Sequence, residues 1–162
     1  MKNVSTIHNC YGCGVCAVSC GKKIINIRLN EDGFYAPYID EPEKCMECGI
    51  CLDVCAFNHK ERALKPEEVQ IKSWAAWSND EAVRRKCSSG GIGFEIGKQL
   101  IEQGFHAVGC RYDINEQRAE HYIATTVEEF VQSIGSKYIQ SYTEEAFKLI
   151  KRKGQKYLII GT

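Results

Sequence analysis

Cys10, Cys13, Cys16 and Cys20 form a C-x2-C-x2-C-x3-C run, and a shift of 35 residues, from Cys10 to Cys45, lays it over a second run of Cys45, Cys48, Cys51 and Cys55. Gly14 and Gly49 coincide under the same shift, so the stretch is an internal repeat. This rhythm is the one by which four thiolates hold a [4Fe–4S] cubane. Three closely placed sulfurs wrap one cluster in a tight loop, and the fourth, entering a helix, points away and reaches the other cluster. Cross-ligation then assigns Cys10, Cys13, Cys16 and Cys55 to one cluster, and Cys45, Cys48, Cys51 and Cys20 to the second. Two bland readings compete. Disulfides would need an oxidising compartment that nothing in the sequence signals. Structural zinc usually pairs two C-x2-C knuckles, without the x2-x2-x3 rhythm.

The elements that must position these thiols are short. Gly12, Gly14 and Gly49 let the backbone approach the inorganic sulfides and aim N–H groups at them, which favours the reduced cluster. Ile25, Ile27 and Leu29 alternate with polar residues, Glu31-Asp32-Gly33 makes a turn, and Phe34 to Ile39 returns, which predicts a hairpin over the clusters. So small a segment cannot bury much core, so metal–ligand bonds must supply its stability and the apo form is expected to be disordered. Residues 1–60 therefore read as a bacterial-type two-cluster ferredoxin domain. The proline that commonly follows the fourth cysteine is replaced by Gly21 and Ala56, which removes no ligand.

Beyond Asn58 the cysteines stop, and Pro66 ends any earlier helix, placing a boundary between 58 and 70. Ile71 to Trp77 is a candidate strand and Asp80 to Lys86 a short charged helix or loop. Ser88-Ser89-Gly90-Gly91 opens a helix that Gly104 stops. Phe105 to Cys110 and Ala119 to Ala124 read as strands. Thr126-x-x-Glu129 and Ser141-x-x-Glu144 read as capping boxes, Gly154 as a helix stop, Lys151-Arg152-Lys153 as a solvated helix end, and Lys156 to Ile160 as a last strand. The expectation for residues 61–162 is an α/β domain with a mostly parallel sheet, giving an α+β chain overall. A buried strand at the chain end further suggests that this second domain is truncated.

Composition narrows the function classes. Twenty-one basic residues balance 21 acidic ones, which leaves no footprint for nucleic acid. No apolar run approaches the ~20 residues of a membrane span, and the first residues hold no secretory core. A soluble, cytoplasmic protein with reduced thiols is expected.

Outside the cysteine runs, Ser88, Ser89, Gly90 and Gly91 at a helix start would expose N–H groups suited to a flavin pyrophosphate; equally, a serine caps the helix and the glycines allow tight packing. Lys137 could neutralise a phosphate and Tyr138 stack on a ring, or Gly135-Ser136-Lys137-Tyr138 is a solvated loop. Cys87, Cys110, His59, His106 and His121 sit in no ligand spacing and read as structural or surface residues.

Taken in order, the double cysteine run, Cys87-Ser88-Ser89-Gly90-Gly91, Ile123-Ala124-Thr125-Thr126, Gly135-Ser136-Lys137-Tyr138 and Tyr157-Leu158-Ile159-Ile160-Gly161-Thr162 resemble the N-terminal part of the coenzyme F420 hydrogenase/dehydrogenase beta-subunit family. In that family the last strand continues into Gly-Thr-Pro-Cys-Gln and a larger region. The resemblance implies iron–sulfur clusters feeding a flavin (FAD) that exchanges hydride with coenzyme F420 or another two-electron partner, and a redox partner protein or subunit. The alternative is a non-catalytic ferredoxin-like electron carrier or docking module.

Overall fold

The computed structural model describes residues 3–7, 10–59, 61, 72–150 and 153–161. The chain divides into two units, Met1–Ser73 and Trp74–Thr162. The expected boundary stretch falls mostly on residues outside those described, as do Ile71, Lys151, Arg152 and Thr162.

In the first unit both cysteine runs fold alike. Helix α1 (Val15–Ser19) and helix α2 (Ile50–Asp53) each start at the repeat-related glycine, with φ of 77° at Gly14 and 78° at Gly49. A side chain would strain that left-handed backbone, so glycine is what lets each loop reverse straight into its helix. Between them, strands β1 (Ile25–Leu29) and β2 (Tyr35–Ile39) pair antiparallel from Ile25↔Ile39 to Leu29↔Tyr35. The Asn30 side chain closes the turn by accepting from the N–H groups of Asp32 and Phe34. The predicted hairpin is therefore present, with Ile25 and Ile27 buried on one face and alternate residues more exposed.

The second unit is built on a three-stranded sheet ordered β4-β3-β5: β3 (His106–Asp113), β4 (Arg118–Ala124) and β5 (Tyr157–Ile159). The mostly parallel sheet expected from the alternating pattern is not what forms. β3 and β4 are an antiparallel hairpin registered from Ala107↔Ala124 to Asp113↔Arg118, while β3 and β5 run parallel. The reason is connection length: a parallel crossover needs a dozen or more residues, and β3 and β4 are joined by a tight turn. Asp113 shapes that turn, its Oδ1 accepting from the N–H groups of Asn115 and Glu116.

Helix α3 (Glu81–Lys86) is capped by Asp80, and helix α4 (Ile92–Glu102) packs on the sheet. Ile101, Ala107, Tyr122, Ala124 and Phe130 form the core, with Phe94, Val127 and Ile160 against it. Phe94 and Phe130 stack at 5.6 Å between ring centres. Phe130 closes helix α5 (Val127–Phe130), whose predicted capping box is complete: Thr126 accepts from Glu129 N–H and Glu129 reaches back to Thr126.

Three local expectations fail. Residues 72–77 form no strand among the described residues; Trp74 is 84% exposed, and the next paired amide is Ser78 N–H, bonded to Gly90 C=O at 2.6 Å. A strand pattern without a partner edge does not become a strand. Neither Ser88 nor Ser89 caps α4, which begins at Gly91. Helix α6 (Glu144–Leu149) starts at Thr143 without a side-chain cap, because Ser141 turns its hydroxyl to His121 and Cys110.

Candidate metal centre

Local sequence already determines where most of the thiols point. In each run the first three cysteines lie in the loop and first helical turn: Cys13 and Cys48 are exposed, Cys16 and Cys51 buried, Cys10 and Cys45 between. The fourth cysteine does not enter the helix expected of it: the short helices come earlier, so that Cys20 follows α1 in extended backbone, and Cys55 follows α2 and precedes a 3-10 turn, Ala56–Asn58. Cys20 lies with Cys45, Cys48 and Cys51 around a cavity of ≈ 390 Å³, whose wall also includes the cross-strand pair Ile25 and Ile39. Four thiols, three from one run and one from the other, thus surround a space that would accept an eight-atom cubane core.

The other four are brought together from the opposite ends of the module. Burial raises the pKa of the Cys10 thiol, and Cys13 and Cys55 raise it further. Tyr11, next to Cys10, packs its ring on Phe57, just past Cys55, at 4.5 Å between centres. Cys16 is pushed up to about 12, chiefly by burial and then by Cys13 and Cys10, with a smaller effect from Cys51. Cys51 is raised by burial, with Cys48 and Cys20 adding to it. Crowded, desolvated thiols of this kind hold their protons until a cation replaces them, and a coordinating metal deprotonates a thiol outright. The thiolates of a cubane bind separate irons, so they stand further apart than the ligands of one ion. Among the described residues no three Cys, His, Asp or Glu groups converge as ligands of a single ion. The residues present fit the expected clusters.

Backbone and side-chain donors approach the sulfurs. Gly12 N–H donates to Cys10 Sγ at 3.3 Å, Asn3 Nδ2 lies 3.9 Å from Cys45 Sγ, and the Val4 backbone N–H offsets part of the rise in the Cys51 pKa. Sequence reasoning finds the glycine but misses Asn3 and Val4, which belong to no motif and sit more than 40 residues from the sulfurs they meet.

In the second unit the two segments singled out for a flavin do meet. Ser136 N–H donates to Ser88 Oγ at 2.8 Å, joining the turn before α4 to the loop at 135–138. Gly90 is there for packing: a Cβ would lie 2.5 Å from the Ala76 carbonyl oxygen. Gly91 opens α4, and beside Gly93 in its first turn a Cβ would meet open space. Lys137 Nζ donates to the carbonyls of Gln132, Ser133 and Ile134 at 3.3, 3.1 and 3.1 Å, closing the end of a short 3-10 turn, and burial lowers its pKa. Tyr138 is 91% exposed. Ser89 lies exposed beside this turn.

Cys110, His121 and His59 have structural partners. Cys110 Sγ is 3.4 Å from Ser141 Oγ, which is 2.7 Å from His121 Nδ1; His59 Nδ1 is 2.7 Å from Glu61. Among the described residues no helix is long and apolar enough to cross a membrane.

Comparison with known proteins matches both units. A family model described as a 4Fe-4S dicluster domain matches residues 9–59, and one described as coenzyme F420 hydrogenase/dehydrogenase, beta subunit N-term, matches residues 73–157. No curated protein matches the chain.

Proposed function

Because the chain belongs to the coenzyme F420 hydrogenase/dehydrogenase beta-subunit N-terminal family, we propose that it passes single electrons through two [4Fe–4S] clusters to or from a flavin that exchanges hydride with coenzyme F420 or a similar two-electron partner. In this reading residues 1–60 hold the clusters, residues 61–162 are the N-terminal portion of the flavin domain, and the work is shared with a partner redox subunit. The observation that carries it is the cavity where Cys20 joins Cys45, Cys48 and Cys51, the crossed set that a two-cluster module requires. Cys10, Cys13, Cys16 and Cys55 make the complementary set.

Each cluster, when bound, supplies one-electron transfer at low potential. The chain's own residues do the rest. The thiolates fix the two sites side by side within one short repeat. Ile25 and Ile39 wall one site with apolar surface. The turn at Ser88, Ser89, Gly90 and Gly91 offers the start of an 11-residue helix to the pyrophosphate of FAD, with Lys137 and Tyr138 on the loop tied to it by Ser136.

A non-catalytic ferredoxin-like carrier is the second reading, favoured by one observation: Lys137 commits its ammonium to three carbonyls of its own loop, so its three N–H groups are already engaged. Metal and flavin content separate the readings. Anaerobically purified protein is expected to be brown, with about eight irons and eight acid-labile sulfides per chain. A colourless protein carrying two zinc ions would sink the cluster assignment. Stoichiometric flavin uptake supports the enzyme, whereas a full iron complement that takes up no flavin leaves the carrier.

A further inference from the structure

Asn3 is 1% exposed, a depth at which a polar side chain needs partners for every hydrogen-bonding group. It caps a 3-10 turn, Val4–Thr6, and its Oδ1 accepts from both the N–H and the hydroxyl of Ser5, at 3.0 and 2.7 Å. Two donors on the oxygen fix the orientation of the amide, so its NH2 must face the other way. There it meets Cys45 Sγ at 3.9 Å. The following residue, Val4, is also buried, and its backbone N–H lowers the Cys51 pKa against the effect of burial. Asn3 and Cys45 both line the cavity that Cys20, Cys48 and Cys51 complete.

Resting on the cluster ligation proposed above, we infer that the Asn3–Val4 turn is an N–H···S clamp that sets the potential of the cluster held by Cys45, Cys48, Cys51 and Cys20 apart from that of its repeat-related neighbour. A donor aimed at a ligand sulfur stabilises the more negative, reduced state and raises the potential. At the neighbouring site the hydrogen bond found to a sulfur is local: Gly12 N–H to Cys10, two residues away. Repetition of the motif therefore makes the two sites alike in ligands, and the N-terminal turn makes them unlike in hydrogen bonding. Asn3 acts through Cys45 and is a positioning residue, not a ligand.

The test is an anaerobic redox titration, followed by electron paramagnetic resonance, on the full-length cluster-loaded chain and its Asn3→Asp and Asn3→Ala variants. Asn3→Asp keeps the oxygen that Ser5 holds and replaces the donor with a negative charge. One of the two midpoint potentials is expected to move to more negative values in both variants, further in Asn3→Asp, while the other stays in place. Midpoints that are unchanged, or that move together, in a variant with its full iron content overturn the clamp and leave the ligation standing. A wild-type chain that takes up no iron overturns both. A measurement on the wild type needs no variant: with side-chain ¹⁵N-labelled asparagine, pulsed resonance is expected to show a nitrogen coupling at one reduced cluster, and coupling at neither overturns the clamp.

Discussion

Among the described residues of 3–59 the buried apolar side chains are Val4, Ala17, Ile24, Ile25 and Ile27, none aromatic, with Cys16 and Cys51 also buried. Residues 74–161 close two stacked phenylalanines and Tyr122 over a sheet whose Ala107, Val108, Ala119 and Ala124 are fully buried. The first unit has the geometry of a module that ligand bonds hold, while the second is held by packing. The same contrast appears in the glycines. Gly14 and Gly49 turn the backbone around a site, whereas a Cβ on Gly97 would fall 2.1 Å from the Phe130 ring, so that glycine is the floor of a core contact.

Four experiments break or sharpen this contrast. The largest effect is expected from stripping iron with a chelator: residues 1–60 should become freely cleaved by protease, while residues beyond 73 stay protected. Both tryptophans of the chain, Trp74 and Trp77, lie in the second unit and report on it separately. Equal protection of both halves without iron would refute a metal-dependent fold. Next, Phe130→Ala should destabilise the second unit by about 3–5 kcal/mol in urea unfolding and leave the cluster absorbance unchanged. Thr126→Ala removes one half of the capping box and should cost about 1 kcal/mol, read from the same transition.

The smallest effect concerns pH. Burial lowers the His121 pKa, so the unfolded chain binds that proton more readily than the folded one. Its contribution to stability is complete above the ordinary histidine value of about 6.5 and is lost as pH falls below it. The urea midpoint of the second unit should drop between pH 7.5 and pH 5.5, and less so in His121→Gln. Glu129 and Asp113, whose pKa values are lowered by hydrogen bonds to backbone N–H groups, act in a separate, more acidic window. An equal drop in wild type and His121→Gln would assign the pH dependence elsewhere.

What was legible depended on how local the signal was. The capping box at Thr126, the helix that Gly104 ends and the hairpin at Ile25 to Ile39 are interactions within a few residues, and each is found where the pattern predicts it. Ser141-x-x-Glu144 has the same local pattern as Thr126-x-x-Glu129, yet Ser141 is drawn away by His121, 20 residues earlier. Strand direction was misread because apolar runs show where strands are and not which way they pair. The short link between β3 and β4 carried the missing information, since only a hairpin can close so quickly.

By itself the sequence determined the class of chemistry: eight thiols in two repeated runs, at the spacing of a 4Fe-4S dicluster domain. Ligand spacing is written along the chain because three of the four thiols of each site lie within one loop. Only the tertiary structure decided what surrounds those sites. It brought Cys20 to Cys45, Cys48 and Cys51, placed Ser136 on Ser88, and laid Asn3 and Val4 against one set of sulfurs. Contacts of that range are chosen by which surfaces can bury each other without stranding a polar group, and no periodicity in the chain records the choice.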